Sequence, residues 1–146
     1  MNITILCIGK LKEKYWTEAA AEYVKRLGKY CVLQIDELKE TDPPTEGSAI
    51  AKRIKKEDYV IALEISGEEI ASENLADRIK ALAVSGKSRV IFAIGGSDGL
   101  SKEVTDRADF SLSFSRMTFP HQLMRVILLE QLYRSYKIIN NEKYHK

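Results

Sequence analysis

The sequence is poor in cysteine, histidine and proline, with two, two and three of these residues among 146. Cys7 and Cys31 lie in apolar runs without a Cys-x-x-Cys, and His121 and His145 are isolated from other metal ligands. These spacings argue against a disulfide framework or a zinc site, and we expect no metal. Buried thiols are favoured over a redox role for the two cysteines.

Long hydrophobic runs are also missing. The first apolar run covers only residues 3–8, and no basic residue precedes it. It is too short for the apolar region of a signal peptide and far too short to cross a membrane. We therefore expect a cytoplasmic protein without a membrane partner.

No excess of one charge is present, since 23 basic and 21 acidic residues give a net charge of +2. The distribution is nevertheless uneven. Residues 10–30 hold six basic and three acidic groups, residues 116–146 hold six and two, and residues 31–115 hold eleven and sixteen. The two basic ends could converge on an anionic partner or form ordinary solvated surface, and the sequence leaves both possibilities open.

Short β-branched runs alternate with helical patterns along the chain. Strands are predicted at 3–8, 32–38, 59–65, 90–94 and 110–115. Helices are predicted at about 11–27, 47–56, 72–82, 101–104 and 120–139. Asp42-Pro43-Pro44 is predicted to be a loop, and Ser66-Gly67 to end the third strand. The alternation predicts one α/β domain over residues 1–146, with a mostly parallel sheet covered by helices on both faces.

The last predicted helix is apolar nearly all round, which is unusual for a helix at the surface of a protein. A second copy of the chain could cover it, so we predict a homodimer. Arg125 and Arg134 lie on opposite sides of this helix at about 100° per residue. They could share a site only across a two-fold interface. The alternative for Arg134 is a simple pair with Glu130, four residues earlier.

Three further segments carry residues suited to chemistry. A glycine-rich loop, 94–99, follows the most apolar strand, where open α/β sheets bind ligands, although a tight turn is the alternative. Residues 113–121 join a strand to the last helix and could present helix N–H groups, or be a plain connection. The tail, 140–146, ends in tyrosine, histidine and lysine, yet terminal residues usually fray.

These segments together resemble one known family. Residues 93–100 read Ala-Ile-Gly-Gly-Ser-Asp-Gly-Leu, and residues 112–125 read Leu-Ser-Phe-Ser-Arg-Met-Thr-Phe-Pro-His-Gln-Leu-Met-Arg. Glu-Gln-Leu-Tyr-Arg at 130–134 and Tyr-His-Lys at 144–146 complete the pattern. They are similar to the RlmH family, SPOUT-class methyltransferases that act on N3 of a pseudouridine in large-subunit ribosomal RNA. The likeness covers nearly the whole chain, and only residues 38–46 are shorter than the family pattern.

The resemblance implies an α/β fold with a C-terminal deep trefoil knot, a rare exception among protein topologies. It also implies a homodimer with the active site at the subunit interface. S-adenosylmethionine, the methyl donor, would lie between the two loops. The implied donor residues are Leu63, Gly96, Ser115, Arg116, Met117, Thr118, Phe119 and Pro120.

For catalysis, the resemblance and the residue chemistry suggest His121, Tyr144 and His145 as candidates to accept or orient the N3 proton. Arg134 and Lys146 would hold phosphate or uracil carbonyls, Arg125 would shape the site, and Tyr144 would also contact RNA. The tail is expected to order when RNA arrives.

With no added RNA-binding domain, the chain is expected to need the assembled ribosome. Two alternatives are a Rossmann-like dehydrogenase and a non-catalytic ribosome-binding module. The first lacks its Gly-x-Gly-x-x-Gly unit with an acidic ribose ligand, and the intact loops and tail argue against the second.

Overall fold

A computed structural model describes residues Met1 to Lys146 and contains five strands and five helices in alternation. The strands are β1 (Asn2–Ile8), β2 (Val32–Leu38), β3 (Tyr59–Glu69), β4 (Arg89–Ile94) and β5 (Phe110–Ser113). The helices are α1 (Lys14–Leu27), α2 (Pro43–Ala51), α3 (Ser72–Val84), α4 (Lys102–Arg107) and α5 (His121–Ile139). The α/β alternation predicted from the sequence is confirmed.

All five strands are parallel and form one sheet in the order β2-β1-β4-β3-β5. Ile5 of β1 pairs with Ile35 on one side and Phe92 on the other. The carboxyl ends of the strands therefore meet at a single edge of the sheet. Ligands of open α/β sheets bind at this edge.

Alternating strand residues build two apolar layers. Ile5 and Phe92 face the larger layer, which is covered by α1, α3 and α5. Leu6 and Ile91 face the smaller layer, covered by α2 and α4. Both faces of the sheet are buried, and this explains why its strands are continuous apolar runs rather than polar–apolar alternations.

The paired prolines begin a helix, so the loop predicted for them is wrong. The Asp42 side chain accepts a hydrogen bond from the Thr45 N–H at 3.0 Å and caps α2, with Pro43 and Pro44 in its first turn. Proline is tolerated there because the first N–H groups of a helix have no partner within it. The helix consequently starts four residues earlier than predicted and ends at Ala51.

Strand β3 continues through Gly67 to Glu69, whereas the sequence predicted that Ser66-Gly67 would end it. The pairing with β5 is irregular between Leu63 and Glu68, as in a bulge. A Cβ at Gly67 would lie 2.8 Å from backbone atoms of Ser111. The glycine thus permits close approach of the two strands instead of stopping one.

Helix α5 packs between α1 and α3 on the larger layer. None of its nineteen residues is exposed, although Leu123 and Ile127 are only half-buried. Its apolar surface is therefore covered largely within one chain. This weakens the reasoning that its composition alone requires a second subunit. None of the five helices has the length and hydropathy needed to cross a membrane.

Candidate functional site

A cavity of about 630 Å³ opens at the carboxyl ends of β4 and β5 and beside the irregular stretch of β3. Nineteen residues from the strand ends, the two loops and the start of α5 line it. Its volume lies within the usual range for small-molecule and cofactor sites. The two loops singled out from the sequence therefore meet at one pocket.

Three glycines shape the first wall of this pocket. The Gly99 N–H donates to the Gly96 carbonyl at 3.0 Å, and Gly99 has a positive φ of 78°. A Cβ at Gly95 would lie 2.4 Å from the Gly99 carbonyl carbon. Only glycine fits between these backbone segments, so the loop is a tight turn and a pocket wall at once.

Residues 114–119 form the second wall. The Ser113 hydroxyl donates to the Ser115 carbonyl at 3.0 Å, and the Met117 N–H donates to the Ser115 hydroxyl oxygen at 3.0 Å. Met117 is 73% exposed at the pocket rim. Arg116 extends toward Glu69 at 3.9 Å, with its side chain largely in solvent.

Seven of the eight residues predicted to bind the donor line the pocket, and Pro120 does not. The seven are Leu63, Gly96, Ser115, Arg116, Met117, Thr118 and Phe119. Pro120 instead immediately precedes α5 as its cap residue. His121, predicted as a candidate base, also lines the pocket from the first turn of α5.

Sequence reasoning missed several pocket residues. Glu64, Ile65 and Ser66 line it beyond Leu63, and Met124 lines it one helical turn after His121. The first three could have been found from the rule that ligands gather at strand carboxyl ends. Met124 follows from His121 by helical periodicity.

Arg125, which the sequence predicted to shape the site, lies outside the pocket lining. Its side chain is only 3% exposed and donates to Glu37 at 2.5 Å and to the Gly9 carbonyl at 2.9 Å. Both partners are near the carboxyl ends of β1 and β2. Arg125 therefore ties α5 to the sheet edge beside the pocket.

Arg134 forms the pair with Glu130 that the sequence offered as its simpler role. Its Nε and Nη2 donate to Glu130 Oε1 at 2.8 and 2.5 Å, and its Nη1 lies 3.0 Å from His145 Nδ1. His145 also contacts Glu73 at the start of α3. The guanidinium stacks on the Tyr144 ring, 4.7 Å from its centroid.

The tail is thus packed on α5 within its own chain, whereas the sequence led us to expect order only with RNA. Arg134, Tyr144 and His145 form one cluster, and Lys146 is exposed beyond it. None of these four residues lines the pocket of the same chain. One chain therefore divides the predicted site residues between a pocket and a separate tail cluster.

Burial and the neighbouring Tyr23 raise the pKa of Tyr144 to about 12. Its hydroxyl is protonated at neutral pH and donates to Glu130 Oε1 at 3.3 Å. Hydrogen bonds from its own backbone N–H and from His145 lower the pKa of Glu73. In this arrangement Tyr144 is a hydrogen-bond donor. No group of three or more His, Cys, Asp or Glu side chains is placed to hold a metal ion.

A parallel α/β domain with a glycine-walled pocket at its strand ends has the arrangement in which open sheets accommodate cofactor-sized ligands. The family model described as "Predicted SPOUT methyltransferase" matches residues 1–145, and the chain belongs to this family and is a methyltransferase. Family membership also implies the trefoil knot expected from the sequence.

Two relatives are named "Ribosomal RNA large subunit methyltransferase H". The one from Clostridium novyi (strain NT) is 54% identical and the one from Clostridioides difficile (strain 630) is 52% identical, each over 100% of both chains. The fold is also similar to a solved "probable methylase family protein" from Haemophilus influenzae Rd KW20. That match has a TM-score of 0.61 and 15% identity, and covers 99% of this chain and 70% of the other.

Proposed function

We propose that this chain is an S-adenosylmethionine-dependent methyltransferase that methylates N3 of a pseudouridine in large-subunit (23S) ribosomal RNA. It acts on the assembled ribosome, in the cytoplasm, as a homodimer of single-domain subunits. The observation that carries the proposal is the pocket of about 630 Å³ between the glycine loop and residues 114–119. The names of the full-length relatives support the ribosomal substrate.

The pocket suits S-adenosylmethionine in shape and in chemistry. The close approach of Gly95 to Gly99 leaves backbone groups, not side chains, on one wall. Leu63, Met117 and Phe119 supply apolar surface for an adenine ring. When bound, the donor supplies an electrophilic methyl group, so the protein must hold the pseudouridine N3 in line and manage its proton.

Three side chains are candidates to accept the N3 proton of the pseudouridine or to orient its ring. His121 lies at the pocket itself. Tyr144, with its pKa raised to about 12, must leave its present surroundings to act as a base, and otherwise orients the uracil by donating a hydrogen bond. His145 would have to exchange its contacts with Glu73 and Arg134 for contacts with RNA.

A second subunit would unite the two groups of residues. The tail cluster lies outside the pocket of its own chain, so a complete site needs a tail from elsewhere. In a two-fold dimer the tail of one subunit, with Arg134, Tyr144 and Lys146, would reach the RNA held at the pocket of the other. Sedimentation of the purified protein should give the mass of a dimer, and a monomer would contradict this arrangement.

Calorimetry tests the donor. S-adenosylmethionine should bind and NAD should not, because the chain lacks the acidic ribose ligand of a dinucleotide-binding unit. Tighter binding of NAD would favour a dehydrogenase instead.

Tyr144→Phe tests the tail. It should reduce methyl transfer far more than donor binding, because the hydroxyl lies outside the donor pocket. Transfer of tritiated methyl groups to ribosomes, with calorimetry as the control for donor binding, measures both effects. Unchanged turnover would remove Tyr144 from the mechanism.

The ribosome requirement has its own assay. A protein with a net charge of +2 should hold isolated RNA weakly, so neighbouring ribosomal surfaces must supply affinity. Whole ribosomes from a strain lacking the enzyme should be methylated well and protein-free rRNA poorly. Equal rates on both would contradict this part of the proposal.

A further inference from the structure

The two basic ends of the sequence meet on one face of the protein. The end of α1 and the following turn pack against the last turns of α5. Tyr30 stacks on Tyr136 with ring centroids 5.5 Å apart and planes 9° apart. Tyr23 and Tyr30 also lie beside Tyr133, each at 6.2 Å. This aromatic cluster brings the cations of both segments together.

Tyrosine rings position the cations on this face. The Arg26 guanidinium lies 5.4 Å from the centroids of both Tyr23 and Tyr133. Lys29 Nζ lies 5.1 Å from the centroid of Tyr30. A ring attracts a cation through its quadrupole and leaves the positive charge in place, unlike a carboxylate partner. Arg26 and Lys29 are therefore held without being neutralised by the rings.

Arg26 and Lys29 are also accessible. The Arg26 side chain is 41% exposed, and its one acidic neighbour, Glu22, is at 3.8 Å in a solvent-exposed pair of small energetic value. Lys29 is exposed and forms no ion pair.

Lys137 differs from them in this respect. Its ammonium is 3.2 Å from Glu142, and its side chain is only 13% exposed. Hydrogen bonds to Tyr30 and Glu142 raise its pKa. Lys137 supports the cluster, whereas Arg26 and Lys29 are exposed to solvent, with Glu22 3.8 Å from Arg26 and Glu142 in the electrostatic neighbourhood of Lys29.

The charged face is continuous with the tail. The Arg26 guanidinium lies over the Tyr133 ring, and this ring contacts the Tyr144 ring edge-on with centroids 4.9 Å apart. The Arg134 guanidinium lies over the Tyr144 ring in turn. Cations therefore extend along a row of tyrosines from the end of α1 to the proposed RNA-contacting residues.

We propose that Arg26 and Lys29 form a phosphate-binding surface for the ribosomal RNA backbone that flanks the target nucleotide. The inference rests on the proposed function. Phosphate contacts by arginine and lysine supply position and affinity without reading sequence. The competing explanation is structural, since basic residues also stabilise the carboxyl end of a helix such as α1.

Binding to whole ribosomes at 50–200 mM KCl tests the surface. Arg26→Gln with Lys29→Gln removes both charges. Lys52→Gln with Lys102→Gln removes two exposed charges from the opposite layer, one directly after α2 and one on α4. Each lost phosphate contact lowers the slope of log affinity against log salt by about 0.7–1. The first pair should lose about 1.4–2 in slope and on the order of tenfold in affinity at 0.1 M salt. The second pair should match wild type.

A charge-retaining variant separates the two explanations. Arg26→Lys with Lys29→Arg should keep the wild-type salt slope, because phosphate contact needs the charges. An unchanged slope in the glutamine variant overturns the surface. A loss of affinity in the glutamine variant also overturns the surface if that variant has a different oligomeric mass. The same holds if the charge-retaining variant loses affinity equally. Wild-type protein that neither binds nor methylates ribosomes overturns the proposed function, and the surface with it.

Discussion

Arg125 and Arg134 lie on the same helix, but substitution by methionine should have opposite consequences at the two positions. At Arg125 it should lower stability and spare methyl transfer, and at Arg134 it should spare stability and impair methyl transfer. The Arg125 side chain is 3% exposed and donates to Glu37 and to the Gly9 carbonyl, so its loss leaves a half-buried carbonyl without this partner. Breaking a buried charged pair costs about 3–5 kcal/mol when both members are buried. Glu37 is 34% exposed and can regain water, which reduces the expected loss to about 2–4 kcal/mol.

For a chain of this size, each kcal/mol lowers Tm by about 2–4 °C. Arg125→Met should therefore lower Tm by about 4–16 °C and retain methyl transfer at temperatures where it is folded. Arg134 is 25% exposed and paired mainly with Glu130, so Arg134→Met should cost about 1 kcal/mol or less yet impair methyl transfer to ribosomes.

Thermal unfolding and tritiated methyl transfer on the same preparations measure both responses. A protein with methionine at position 125 that keeps its Tm within about 2 °C but loses methyl transfer would refute a structural role for Arg125.

Two further outcomes follow from burial and close packing. Gly95→Ala should abolish S-adenosylmethionine binding in calorimetry, because its Cβ would lie 2.4 Å from the Gly99 backbone. Gly96→Ala should weaken binding only modestly, because its Cβ would meet side-chain atoms alone, of Ile8 at 3.3 Å and of Glu46 at 3.6 Å. Equal effects of the two substitutions would contradict the packing. Burial raises the Cys7 pKa to about 11, so at pH 8 only about a thousandth is thiolate. Iodoacetamide should modify it quickly only after unfolding or as pH approaches 11, and rapid labelling of native protein at pH 8 would count against this.

The sequence determined much of the fold because its apolar runs follow strand and helix periods closely. Strand β2 was predicted at its observed residues, 32–38, and α5 within one residue of its start. The errors in element boundaries came from residue types that have two different structural roles. Proline breaks a helix in its interior but is tolerated in the first turn, where Pro43 lies in α2. Gly67 was expected to end a strand, whereas it allows two strands to approach closely.

The site was predicted where it consists of consecutive residues and missed where it depends on side-chain direction. Residues 115–119 form one wall of the pocket as expected, because a loop and the strand end before it stay together in any α/β sheet. The contact of Arg125 with Glu37 is beyond what a helical wheel can show, since the two residues are 88 positions apart in the sequence. The position of the tail likewise depends on long-range contacts such as His145 with Glu73.

Mass mapping of the methylated nucleotide tests the central claim most directly. Ribosomes from a strain lacking the enzyme would be incubated with this protein and isotopically labelled S-adenosylmethionine, and the 23S rRNA digested and sequenced by mass spectrometry. One labelled methyl group is expected, on N3 of a single pseudouridine. Absence of label, or label on another type of nucleotide, would contradict it.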